Sequence, residues 1–196
     1  MARQRDISID RESILRAAFA LLEDAGLDGL TMRALASRLS VQAPALYWHV
    51  KDKAELTGMM AQDIYQRGRA GLSDCKDGRA WLLQLGKGLT LVLAGHRDGA
   101  RLLAVANPLS PPGEDSAREM AQPLCEHGFS VADALAAQAA VFSLTLGWAI
   151  YHENAAMAQF LSQMFDLDGS YTKGLRLLVD GLVREAAMHA AKLPNG

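Results

Sequence analysis

The residue types best suited to chemistry are gathered in one run, Tyr47-Trp48-His49-Val50-Lys51-Asp52-Lys53. Its rings, its phenol hydroxyl and its two lysines suit contact with phosphate and sugar. The surrounding charge points the same way. From residue 31 to residue 53 the charged side chains are Arg33, Arg38, Lys51 and Lys53 against Asp52, a local balance of +3 in a chain whose net charge is −2. Nearby charges dominate at physiological ionic strength, so a mildly acidic protein with a basic patch can still hold a polyanion. Two lysines alone would be ordinary solvated surface; rings and cations together carry the reading.

Groups arranged for making and breaking bonds are missing from the pattern. A di-iron bundle needs paired Glu-x-x-His motifs on facing helices, whereas here His152 and Glu153 are adjacent and Glu185 with His189 forms a single exposed pair. There is no Gly-rich phosphate loop and no G-x-S-x-G. The chain is therefore expected to be no enzyme, with no catalytic residue, no metal site and no cofactor. Its two cysteines, Cys75 and Cys125, form no C-x-x-C and read as reduced thiols of a cytoplasmic protein. The charged start Met-Ala-Arg-Gln-Arg-Asp runs into no signal segment. The stretch 131–150 comes nearest to a membrane span, but Asp133, Gln138, Ser143 and Gly147 interrupt it, so no membrane contact is expected.

The elements that must position the basic run are helices, for helical spacing dominates and strand-like alternation is scarce. Ile14, Ala17, Ala18, Leu21 and Leu22 recur at three- and four-residue intervals behind Asp10, a plausible N-cap, and Gly26 closes that helix. Thr31 caps a second, short helix carrying Leu35, Ala36 and Leu39. Ser40-Val41-Gln42 makes a turn, and Pro44 sits in the first turn of a third helix over 43–49. Three short helices with a tight link between the second and third fit a helix-turn-helix. Asp52 with Glu55 starts a fourth helix that buries Leu56, Met59, Met60 and Ile64 and ends near Gly71. Beyond it, helices are expected over 81–94, 97–103 and 117–127, with Pro108, Pro111, Pro112 and Gly113 breaking the chain between the last two. A long helix over 131–154 is apolar nearly all round and must be covered on most sides, in part by a partner subunit. A last helix over 171–189 carries Gly174 and Gly181, seven apart, where another helix could approach closely. The fold class is thus all-α, with half of the 196 residues hydrophobic and able to supply a core.

Two stretches of this sequence carry a specific resemblance. Leu30-Thr31-Met32-Arg33-Ala34-Leu35-Ala36 and Pro44-Ala45-Leu46-Tyr47-Trp48-His49-Val50-Lys51-Asp52-Lys53 resemble the DNA-binding signature of the TetR (tetracycline-repressor) family. Similarity continues in patches: His96-Arg97-Asp98-Gly99-Ala100, Glu126-His127-Gly128-Phe129-Ser130, Thr145-Leu146-Gly147 and Gly174-Leu175 with Gly181-Leu182. The resemblance implies an N-terminal helix-turn-helix domain over 1–53 and a helical ligand-binding and dimerisation domain over 54–196, joined by the helix over 54–70. It implies roles by position. Thr31 would touch phosphate and Arg33 a guanine edge, for which arginine is the commonest bidentate partner. Pro44, Tyr47, Trp48, His49 and Lys53 would match contacts to backbone and thymine. Ala43 and Ala45 stand at base-facing places where tetracycline repressors carry Gln and Thr; alanine offers only methyl contact, so a different operator is expected.

The resemblance further implies a homodimer that grips a palindromic double-stranded operator and lets go when a small molecule binds. At the positions that hold tetracycline and its magnesium in tetracycline repressors, this chain has Arg69, Leu85, Leu89, Leu103, Ala106 and Met120. A leucine has no lone pair for a drug hydroxyl or a metal-bound water. The implied effector is therefore a hydrophobic molecule other than tetracycline–magnesium, with Leu135, Gln138, Ala139 and Phe142 on one face of the long helix lining the same site. Gln138 would orient it. Repression is the expected outcome. The alternatives are activation, or a DNA-binding protein of this kind with no small-molecule effector.

Overall fold

The computed structural model describes residues 10–107 and 115–192. The expected breaker cluster of Pro108, Pro111, Pro112 and Gly113 lies outside the described residues. These hold ten α-helices and no strand, so the chain is all-α. They fall into two compact units: residues 10–63 with 96–107, and residues 64–95 with 115–192.

The first unit begins with α1 (Arg11–Gly29), whose N-terminus is closed by a reciprocal pair. The Asp10 carboxylate accepts from the Ser13 N–H and the Ser13 hydroxyl oxygen accepts from the Asp10 N–H. Ile14, Leu15, Ala17, Ala18, Phe19, Leu21 and Leu22 are buried, the face that the spacing predicts. Gly26 takes φ +69°, so regular α1 breaks there, and helical bonding resumes briefly as far as Gly29. Any side chain at Gly26 would be strained by the positive φ and would put a Cβ 2.7 Å from Asp98 Oδ2. Two short helices follow, α2 (Met32–Arg38) and α3 (Ala43–Tyr47), and then α4 (Lys53–Gly68). The Asp52 carboxylate accepts from the Glu55 N–H at 2.8 Å and so starts α4 as expected. Leu30, Leu35, Leu46, Val50, Leu56 and Met60 are the core of these helices, each fully shielded from solvent.

The second unit takes the last turn of α4, a 3-10 turn over Leu72–Asp74, and helices α5 (Gly78–Ala94), α7 (Ser116–Cys125), α8 (Val131–Glu153), α9 (Ala155–Ser162) and α10 (Leu167–Lys192). Helix α6 (Gly99–Val105) belongs to the first unit. Helices α5, α7, α8 and α10 pack on one another around Trp81, Leu82, Leu85, Leu89, Leu124, Val141, Leu175 and Val179. The contacts need bare backbone in places. A Cβ on Gly88 would run into the Gly68 carbonyl oxygen, and one on Gly86 would lie 2.7 Å from the Leu175 side chain. Three hydroxyls, those of buried Tyr171 and Thr145 and of half-buried Thr90, pin the same helices: Tyr171 donates to the Gly86 carbonyl at 3.1 Å, and the Thr90 and Thr145 hydroxyls each lie 2.9 Å from the Tyr171 oxygen.

Helix α8 is long and apolar enough, by length and composition, to cross a membrane. It packs instead with α5, α7 and α10, yet only Ala134, Ala137, Gln138, Val141 and Thr145 of its 23 residues are buried within the chain. Helix α9, which the periodicity did not predict, buries none of its residues. Along α10, Leu177 is 57% exposed, and a Cβ on Gly174 or Gly181 would meet nothing within 4 Å; the same holds for Gly147 on α8.

Candidate nucleic-acid interface and effector residues

The turn between α2 and α3 decides where α3 points. Ser40 adopts φ +58°; its N–H donates to the Ser37 carbonyl and the Val41 N–H reaches back to the Ala36 carbonyl, both at 3.0 Å. This is a Schellman end, normally built on glycine, and it stops α2 sharply enough for α3 to start after a link of four residues. Thr31 caps the front of α2 by accepting from the Ala34 N–H at 3.1 Å. That bond uses a lone pair of the hydroxyl and leaves its proton to donate elsewhere.

Pro44 stands in the first turn of α3, which ends one residue earlier than Trp48 and so two short of the expected His49. The His49 N–H bonds to the Leu46 carbonyl at 2.9 Å, an i,i+3 contact that tightens the helix end. Leu46 and Val50 are fully buried, and this sends the residues between them outward: Trp48 is 89% and Tyr47 51% exposed, and His49 is exposed too. Pro44 is exposed, while Ala43 and Ala45 are half-buried. Thr31 and Arg33 at the start of α2 are exposed, and the Arg33 guanidinium has no protein partner among the described residues. Its neighbour Arg38 is held by Asp24 at 2.6 Å. Lys53 is exposed and lays its Nζ 3.2 Å from the Leu27 carbonyl, neutralising the negative end of α1. The nine expected DNA contacts thus share one unit, with rings, hydroxyls and cations outward and leucines inward.

A second feature of this unit had no signal in local sequence. Residues 96–101 clamp the far end of α1. The His96 ring stacks on Phe19, with centroids 4.6 Å apart, and its Nδ1 meets Glu23 at 3.0 Å. Arg97 donates to the Glu23 and Asp24 carbonyls at 3.3 and 3.1 Å. Asp98, at φ +55°, accepts from the Leu27 N–H at 2.8 Å and from Arg101 at 3.1 Å. The Leu27 N–H, then Arg101 and Arg97, hold the Asp98 carboxyl below the usual carboxylate range.

The expected effector residues are placed as follows. Leu103 and Ala106 lie at and just beyond α6, half-buried, in the first unit. In the second unit Leu85 and Leu89 are fully buried core, and Leu135 and Phe142 pack against that core from half-buried positions. Met120 is 46% exposed, and Ala139 is exposed. Gln138 is buried and fully engaged. Its amide donates to the Met120 carbonyl at 2.9 Å and the Ala134 carbonyl at 3.2 Å, and its oxygen lies 3.5 Å from Arg69 Nη1. Arg69 also donates to the Tyr65 hydroxyl at 3.1 Å, and its guanidinium carbon sits 5.4 Å from the centroids of both the Tyr65 and Trp81 rings. Tyr65 meets Phe142 edge-on at 6.2 Å. The involvement of Tyr65 and Trp81 was not foreseen; they come from a helix end and a helix start that the fold alone brings together. Among the described residues no group of three or more His, Cys, Asp or Glu side chains could hold a metal ion.

Comparison with known proteins bears on both halves of this description. Residues 14–58 match the model for "Bacterial regulatory proteins, tetR family". The chain is 31% identical over 194 residues to the tetracycline repressor protein class A from transposon 1721 of Escherichia coli, covering 88% of this chain and 89% of that protein. Among solved structures it is similar to a TetR variant from Acinetobacter baumannii AYE in complex with minocycline, with TM-score 0.75, 30% identity and coverage of 91% and 98% of the two chains. It is also similar to BioQ with its double-stranded DNA operator, with TM-score 0.66, 29% identity and coverage of 89% and 98%.

Proposed function

Because the chain belongs to the tetR family of bacterial regulatory proteins, we propose that it is a cytoplasmic, non-catalytic repressor that binds a palindromic operator as a homodimer and is released by a largely apolar small molecule other than tetracycline–magnesium. On this reading residues 1–53 carry DNA binding and 54–196 carry ligand binding and dimerisation, with the helix over 54–70 joining them. The observation that carries the reading is the outward row of Thr31, Arg33, Pro44, Tyr47, Trp48, His49 and Lys53 on a unit whose first three helices turn their leucines inward.

The roles divide by chemistry. Arg33 offers a free planar fork to a guanine edge. Tyr47, Trp48, His49, Lys53 and the Thr31 proton serve phosphate and sugar, setting register without reading bases. Ala43 and Ala45 give only methyl contact, to a thymine methyl or a sugar. A single unit of this size reads few base pairs, and the uncovered face of α8 and α10 supplies the means of doubling it. Gly147, Gly174 and Gly181 front open space beside exposed Ile150 and Leu177, which suits close packing against a second copy. A dimer must set its two recognition helices about 34–36 Å apart to meet successive major grooves. A ligand favouring another spacing weakens DNA binding, and DNA weakens ligand binding by the same factor.

Leu85, Leu89 and Met120 argue for an apolar effector, since none can bond a polar drug or a metal-bound water. The test is selection of bound fragments from a random duplex library at about 0.1 M salt, followed by a screen for compounds that elute them. Recovery of an inverted repeat, with a stoichiometry of two chains per duplex, supports the reading; recovery of no consensus sinks it.

A further inference from the structure

Resting on the reading that the second unit takes an effector, we propose that this effector is an acid: an apolar, aromatic or aliphatic body bearing a carboxylate that pairs with Arg69. Arg69 is half-buried among Tyr65, Trp81 and Gln138. A guanidinium withdrawn from water needs an anion or a full set of acceptors in return. Here it has two ring faces and two neutral oxygens, both reached through Nη1, the phenol at 3.1 Å and the Gln138 amide at a long 3.5 Å. No carboxylate lies within ion-pair distance of it among the described residues, and Nη2 and Nε have no protein acceptor there. The remaining donors form the planar fork that matches a carboxylate with two parallel bonds.

Its surroundings are built to hold the fork still. Gln138 cannot turn away, because both of its amide hydrogens are spent on the Met120 and Ala134 carbonyls, which fixes its oxygen toward Arg69. Tyr65 is steadied in turn by Phe142. The neighbourhood of the cation is apolar: the Trp81 ring lies under the guanidinium, Phe142 meets Tyr65, and half-buried Phe142 and Leu135 pack on the same core, an environment for a hydrophobic body and not for a sugar or nucleotide. Cation and apolar wall together select an amphipathic acid over either a neutral hydrocarbon or a hydrophilic anion.

The experiment uses the full-length protein and three acids, 1-naphthoate, 4-phenylbutyrate and decanoate, each beside its primary amide, at pH 7.5. Binding is followed by calorimetry and by Trp81-sensitive fluorescence. At least one acid binds about tenfold or more tightly than its amide, Arg69→Gln removes that preference, and Arg69→Lys, which keeps the charge and loses the fork, retains part of it. Amides binding as well as acids, no binding by any acid, or a preference that survives in Arg69→Gln overturns the proposal. Should Arg69→Gln fail to fold by circular dichroism, the Arg69→Lys comparison decides: an undiminished preference overturns it. Operator retention is scored in parallel. An acid that binds through Arg69 yet never releases DNA leaves this site standing and unseats the effector-release reading; release by neutral amides alone does the reverse.

Discussion

The two units solve opposite problems with their unused surface. In the first, helices α1 to α3 turn their leucines inward and leave Trp48, Tyr47, Arg33 and Lys53 outside, a surface with donors, rings and positive charge. In the second, the order is reversed from α8 through α10: Ile150, Tyr151, Met157, Phe160, Leu177 and, in the turn before α10, Met164 stay exposed, and three glycines front open space. The first surface is finished in water and waits for a polyanion. The second leaves apolar side chains in water, and apolar faces of this kind suit an interaction site. On the proposed reading the contrast separates two functions that a one-domain reading would blur: sequence reading by polar side chains, and doubling of the reader by apolar ones.

The sharpest way to break this contrast is to make the second surface resemble the first. Leu177→Arg puts a charge on the α10 face between Gly174 and Gly181, where it must be buried if a second copy packs there. Burying it unpaired costs several kcal/mol. The expected result is a monomer by sedimentation and a loss of operator affinity of at least about a hundredfold, because two linked half-site contacts become one. A dimer that persists with full affinity would move the interface away from this face.

Arg33→Ala tests the other side and should act without touching oligomeric state. Loss of a bidentate base contact costs about 1–3 kcal/mol of specific binding and relaxes choice at one base pair. Affinity unchanged at fixed salt, or a loss equal on all sequences, would reassign Arg33 from reading bases to holding phosphate.

Legibility in the sequence followed the same division. The first unit was readable because its determinants are local: the Asp10 and Thr31 caps, the apolar spacing of α1, and Pro44 ahead of Leu46 all act within four residues. What escaped there was long-range, the clamp in which Asp98 binds the Leu27 N–H across 71 positions, so the placement of α6 in this unit had no local signal. The long helices α8 and α10 were readable from their apolar runs, but α9 was not. Its cue was present in Asn154, which ends α8 and whose side chain accepts from the Met157 N–H at 3.1 Å. Periodicity missed it because α9 buries nothing within the chain, so its apolar residues follow no inward stripe. Of the expected effector residues, Gln138 was singled out as the orienting group, while Tyr65 and Trp81, which flank its partner Arg69, lie on separate helices that only tertiary packing unites.

Lys53→Ala refines the contrast within the first surface. Its Nζ already neutralises the carbonyl end of α1 at 3.2 Å, so it can serve phosphate and structure at once. The expected result is a modest loss of affinity on every sequence and a salt dependence flatter by about one unit of slope. An unchanged slope would confine Lys53 to capping α1.

The smallest effect concerns the clamp, and it should leave operator reading intact at neutral pH. Asp98 is charged in the native unit at a lower pH than in the unfolded chain, because the Leu27 N–H and Arg101 favour the carboxylate. The sign follows from proton linkage. A native carboxyl that titrates below the unfolded value of about 3.9 adds stability that is complete above that value and is lost as pH falls through the native one. The wild type should therefore lose more stability between pH 5 and about pH 3 than Asp98→Asn, and the two should converge in acid, as followed by urea unfolding. Parallel pH profiles for the two proteins would mean that the charge on Asp98 adds nothing beyond what the asparagine oxygen supplies, and the clamp would rest on the His96 and Arg97 contacts to α1 instead.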